Sequence, residues 1–219
     1  MPQYAIKRAT GPVVLNGTID DTAWADADVL SVDNYPWFVG GDKQATAARL
    51  LYDDRNLYVQ FQCQDRHSSA YVTQLNGPVC RDSCVEFFAS IDPAAGPDYF
   101  NWEINCCGQI TLGYGPHRQN RRRILPEQAG QLHIMSPYPG PIKGESPDDK
   151  SWWIAAAMPW DILSEFCAKT IEPRPGVQWK GNVYRCGGKT DPQYACWNWV
   201  NTPQPDFHRP EFFAPIVFE

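Results

Sequence analysis

The chain has no uninterrupted apolar run of about eighteen residues, the minimum for a membrane-spanning helix. Its N-terminus, MPQYAIKRATGP, lacks an apolar h-region, so no secretory signal is visible and a cytoplasmic location is expected unless a leader has been removed. Basic residues are the minority, 19 against 25 acidic ones, and the net charge is -6. A nucleic-acid-binding surface needs a cationic excess, which disfavours that class. The one basic run, Arg118 to Arg123, sits among Gly and Pro and reads as a solvated loop. There is no CxxC, and the four histidines are scattered, so no structural zinc pattern is present. Gly-x-Ser-x-Gly, P-loop and HExxH motifs are also missing. Neither an internal repeat nor a linker divides the 219 residues, so residues 1–219 are read as one domain.

The eight cysteines would suggest a disulfide framework in a secreted chain. Here Cys63, Cys84, Cys106, Cys186 and Cys196 fall within strand-like runs, where a free thiol behaves as a small apolar residue. Cys80 and Cys84 could pair only with favourable local geometry, and Cys106–Cys107 only as a strained vicinal bridge.

What is abundant points to β-structure. Twenty prolines and sixteen glycines punctuate the chain throughout. In Ala48 to Asp65, two β-forming runs flank the turn Asp53-Asp54-Arg55-Asn56. After it, Leu57, Val59, Phe61 and Cys63 alternate with Tyr58, Gln60, Gln62 and Gln64, the period of a half-buried strand. Further strands are predicted over 84–91, 99–106, 109–113, 131–136, 152–158, 178–186, 194–200 and 214–218. Leu15 to Trp24 reads as an Asn-Gly turn followed by a short helical turn. One helix is predicted over 159–167, with Trp160, Leu163 and Cys167 on a shared face. Short strands at this spacing define an all-β fold, a two-sheet antiparallel β-sandwich with one short helix.

Two strands separate into faces. Val85, Phe87, Ala89 and Ile91 oppose Cys84, Glu86, Phe88 and Ser90; Trp102, Ile104 and Cys106 oppose Asn101, Glu103 and Asn105. If these strands are neighbours, Glu86, Glu103 and Asn105 share one surface with aromatic company. Carboxylates and amides match sugar hydroxyls, and an aromatic ring covers the C–H face of a pyranose.

The succession LNGTIDDTAW, RLLYDDRNLYVQFQCQD, RDSCVEFF, YFNWEIN and WNW followed by DFHRPEFF resembles the family 9 carbohydrate-binding modules, and more narrowly their stand-alone relatives within the DOMON-like sandwiches. The resemblance runs from about Val13 to Phe218. It implies an immunoglobulin-like or jelly-roll-like sandwich, structural calcium, and binding of mono- or oligosaccharide chain ends without catalysis, in the service of polysaccharide catabolism and often as one part of a glycoside hydrolase. Characterised members clamp a sugar between two tryptophans. Glu86 matches one of their polar contacts and Tyr184 falls near another. Gly77 to Asp82, where one clamp tryptophan is expected, holds no aromatic; Phe207 stands near the position of the second. Glu103 replaces a basic residue.

Competing readings follow from the same residues. Glu86 and Glu103 could form a glycosidase pair, which needs carboxyls about 5–5.5 or 6.5–9.5 Å apart. DOMON-like sandwiches also hold haem, for which Met135 and Met158 are the remaining axial candidates. Asp53, Asp54, Asp65, Asp82, Asp92 and Asp98 could ligate calcium, which takes about six to eight oxygens, but turn aspartates commonly bond their own backbone. His208 beside Asp206 could be a base or a hydrogen-bonded loop residue. Trp102, Trp152, Trp153, Trp160, Trp179, Trp197 and Trp199 read as core. Tyr35 and Trp37, in a loop, could supply the missing clamp wall. The expected ligand contacts are Glu86, Glu103, Asn105, Tyr184, Phe207 and Trp37.

Overall fold

The computed structural model describes residues 2–219. Among these the strands are β1 (Tyr4–Arg8), β2 (Leu30–Ser31), β3 (Thr46–Tyr52), β4 (Asn56–Gln64), β5 (Cys84–Ser90), β6 (Tyr99–Asn105), β7 (Ile110–Gly115), β8 (Arg122–Arg123), β9 (His133–Met135), β10 (Ser151–Pro159), β11 (Gln178–Cys186), β12 (Ala195–Cys196) and β13 (Ala214–Phe218). They form one hydrogen-bonded path in the order β8-β7-β6-β5-β11-β13-β1-β3-β4-β10-β9, with β12 attached to β11 and β2 to β3. Both halves of the path feed a single apolar core. Val85, Phe87, Trp102 and Val183 come from one half; Leu50, Val59, Phe61 and Ile154 come from the other. The path is therefore curled around its core, which buries the apolar alternation read in the sequence.

The fold corrects three expectations. Among the described residues two short α-helices are present, not one: α1 (Pro126–Ala129) precedes the expected α2 (Trp160–Cys167). In α2, Ile162 and Phe166 join Trp160, Leu163 and Cys167 inside, and Ala168 ends the helix in the left-handed region. The pairing is also not wholly antiparallel. β1 runs parallel to β13 at one end and parallel to β3 at the other, so it hands the path from one half to the other. Finally, the run 194–200 keeps only the two-residue β12. Asn182 Oδ1 accepts from Asn198 N, and Asn198 Nδ2 donates to Phe212 O. These bonds hold the chain as a loop and leave Trp199 51% exposed rather than in the core.

The outward faces of both halves are covered as well. Trp24, Leu51, Tyr58 and Ala157 cluster under the N-terminal segment. Phe88, Tyr99, Tyr184, Phe207 and Phe213 cluster where residues 200–213 cross the β6-β5-β11 surface. This second cluster borders the candidate site.

Candidate functional site

β5 lies between β6 and β11, and Glu86 is paired with Glu103 on one side and Tyr184 on the other. The three side chains share the face turned away from the main core, as the alternation of β5 and β6 predicts. Directly opposed residues place their Cβ atoms about 4.5–5.5 Å apart. Above the two glutamates opens a cavity of about 500 Å³, whose lining includes Glu86, Glu103, Cys80, Arg118, Cys186, Tyr194, Phe207 and His208. That is within the about 300–1,000 Å³ common for small-ligand clefts. Glu86 and Glu103 are only 3% and 7% exposed, yet both line this hollow.

Burial raises the Glu86 carboxyl well above its usual range, and the facing Glu103 raises it further. Burial raises Glu103 too, but Asn101 Nδ2 donates to its Oε1 at 2.7 Å, and Arg123, Arg121 and Arg118 favour its charged form. Of the two, the Glu86 carboxyl is raised further. The Cys186 thiol donates to Glu86 Oε1 at 2.9 Å, while Glu86 Oε2 is buried without a partner. An unmet buried polar atom of this kind calls for an explanation. On the wall, burial and then Arg118 and Arg121 push the His208 imidazole down to about 3, so it is neutral. Its Nδ1 lies 2.9 Å from the Tyr99 hydroxyl.

A family described as carbohydrate-binding family 9 matches residues 16–218. The chain belongs to carbohydrate-binding family 9. Comparison with curated proteins finds no match. Among solved structures, the chain is similar to a Bacteroides uniformis protein proposed to bind carbohydrate, at 23% identity, with 99% of each chain covered and a TM-score of 0.84. It is also similar to a family 9 carbohydrate binding module from Caldicellulosiruptor kristjanssonii in complex with cellotriose, at 14% identity, covering 100% of this chain and 94% of that one, with a TM-score of 0.67. A third structure, a family 9 module of the same organism in complex with glucose, shares 15% identity over 98% and 95% of the two chains, with a TM-score of 0.64.

Against the family 9 pattern, the expected contacts divide. Glu86, Glu103 and Phe207 line the cavity. Tyr184 does not: it is fully buried, its ring stacks on Phe207 at 4.2 Å, and its hydroxyl donates to Phe207 O at 3.2 Å. Asn105 is also sealed, because its Nδ2 donates to Asp82 Oδ2 at 2.8 Å. Trp37 donates through Nε1 to Thr202 O and packs against Phe207 at 5.6 Å, so it backs the cavity wall instead of facing the floor. With Phe38 and Tyr194 it lines an adjoining hollow of about 570 Å³.

Several lining residues escaped the sequence reading. The basic run is not a free loop. Arg118 reaches the cavity and pairs with Asp206, and Arg121 lies 4.2 Å over the Tyr99 ring. Asp206 accepts from the main-chain N of His208 rather than from its ring, so the two do not form a base-and-orienter pair. A larger hollow of about 650 Å³, at Tyr35, Lys43, Thr46 and Trp153, is the weaker candidate. Only one carboxylate, Asp33, lines it, and its amides are engaged, Gln62 donating to Gly17 O and Gln64 accepting from Ala45 N, although Thr46 Oγ1 is buried there without a partner.

The candidate calcium ligands are mostly occupied. Asp53 accepts from Arg55 N, Asn56 N and Tyr58 Oη; Asp54 pairs with Arg8; Asp82 accepts from Tyr71 N and Val72 N. Asp65 is paired with Arg185. Met158 is fully buried in the core and Met135 is 49% exposed.

Proposed function

We propose that this protein binds carbohydrate, taking a mono- or oligosaccharide end into the cavity above Glu86 and Glu103 without chemistry of its own. The observation that carries this reading is the hollow itself, lined by the Glu86 and Glu103 side chains with the Phe207 ring at its wall. Carboxyls match sugar hydroxyls, and the ring offers a surface for pyranose C–H groups. Membership of family 9 supports the class of ligand, and the cellotriose- and glucose-bound relatives suggest gluco-configured probes. The curled path is read here as the two-sheet sandwich of that family, with the cavity on the face turned from its core.

Calorimetric titration with glucose, cellotriose and a broader glycan panel tests this. The expected result is saturable one-site binding, weakened more than about tenfold in Glu86→Ala, the equivalent of about 1.4 kcal/mol. A folded protein that binds no glycan in the panel would refute it.

A further inference from the structure

Cys84 and Cys186 are direct partners in the β5–β11 register, and Glu86 lies two residues along β5 on the same face. One donor atom from each, the two Sγ atoms and a Glu86 carboxylate oxygen, lie within 4.8 Å of one another. All three side chains are buried, at 0%, 2% and 3% exposure, and all eight cysteines are free thiols. Packing alone does not call for this arrangement, since a small apolar residue would fill either thiol position equally well. A second observation singles the cluster out: Glu86 Oε2 is buried there without a partner.

We propose that Cys84, Cys186 and Glu86 form a binding site for a thiophilic divalent cation, with zinc as the best match. Two thiolates and one carboxylate are ligands zinc accepts, and three protein ligands leave a fourth tetrahedral position open. Cys186 and Glu86 line the cavity, so that position faces it and takes a water or a ligand hydroxyl. Loading sends the protons of both thiols, and of the Glu86 carboxyl where it carries one, to solvent, and the resulting two thiolates and one carboxylate around a divalent cation leave one excess negative charge. Two cations flank the cluster: Arg118 on the cavity side, and Arg185, whose Nη1 donates to Cys84 O at 3.4 Å, on the other. The spacing in sequence, with one thiol near position 84 and the other about a hundred residues later, hides the site from motif reading; strand register creates it.

This proposal shares Glu86 with the carbohydrate reading, does not depend on sugar binding, and is tested on the full chain under reducing conditions. Zinc chloride is added, the protein is desalted, and metal is counted by mass spectrometry. Cobalt replaces zinc for spectroscopy. One equivalent of zinc and a near-ultraviolet thiolate-to-cobalt band are expected. Cys84→Ser and Cys186→Ser should each lower metal affinity by at least about a hundredfold, while Cys107→Ser should not change it. Failure of the reduced, folded wild-type chain to retain metal overturns the proposal, and so does a band unaltered in the Cys84→Ser/Cys186→Ser double variant. The wild-type result needs no variant to fold. Glycan titrations on the same preparations separate the readings: metal retained without sugar binding removes the carbohydrate reading alone, and sugar bound without metal removes this one alone.

Discussion

Arg185 Nη2 meets Asp65 Oδ2 at 2.6 Å, with the two side chains only 1% and 4% exposed, so an ion pair inside the protein ties β11 to the end of β4. Trp152 completes it, donating Nε1 to Asp65 at 2.8 Å and lying 4.7 Å beneath the guanidinium. Breaking a buried pair by removing one partner strands the other charge. Asp65→Ala should lower unfolding free energy by about 3–5 kcal/mol in denaturant titration.

The same pair sets an acid limit. Burial pushes the Asp65 carboxyl up, but Arg185 together with the hydrogen bonds from Trp152 and Ser83 outweighs burial and holds it below the usual range. A carboxyl lowered on folding contributes stability above its unfolded value, about 3.9, and loses it as pH falls through the folded value. Denaturation midpoints measured downward from pH 5 should fall in the wild type, with a shallower fall in Asp65→Asn.

His208 adds a slope at milder pH. Its folded value of about 3 lies below the unfolded one of about 6.5, so between them the unfolded chain holds the extra proton. Stability should decline as pH drops from about 6.5 toward 3, and His208→Gln should flatten that region. An unchanged slope in the variant would contradict the neutral imidazole.

Tyr184 and Phe207, stacked face to face, should behave differently when altered. Tyr184→Phe removes a buried hydroxyl that donates to Phe207 O, so glycan affinity should be unchanged while stability falls by about 1 kcal/mol. Phe207→Leu removes one aromatic ring from the cavity wall and should weaken glycan binding while the chain stays folded. Calorimetry paired with thermal melts separates the two effects.

Gly187 has no room for a side chain. Its φ is +76°, and a Cβ there would overlap the Asp82 carbonyl oxygen. Gly187→Ala should cost at least about 2 kcal/mol and disturb the turn that carries Cys80 to the cavity rim. Gly144, with nothing within 4 Å, should tolerate alanine within about 0.5 kcal/mol. Chemical denaturation of both variants provides the comparison.

Strand faces were the most legible part of the chain. The alternation in 57–63 and 84–89 directs Leu57, Val59, Phe61, Val85 and Phe87 inward as expected, and it places Glu86 opposite Glu103. Period-two patterning reports which way a side chain leaves the sheet, but not what later covers that face. For this reason Tyr184 and Asn105 shared the expected surface yet lie sealed, one under Phe207 and the other against Asp82. Arg118 and Cys186 were silent for the opposite reason: their approach to Glu86 depends on pairing between segments far apart in sequence. β1, with Tyr4 and Ile6 alternating, was not among the strands expected from the sequence.

That short first strand has a mechanical consequence. Tyr4, Ala5 and Ile6 lie alongside Ile216, Val217 and Phe218 in the same direction. Opposed tension on the two ends of the chain would load this seam lengthwise, with its bonds resisting together instead of opening in turn like a zip.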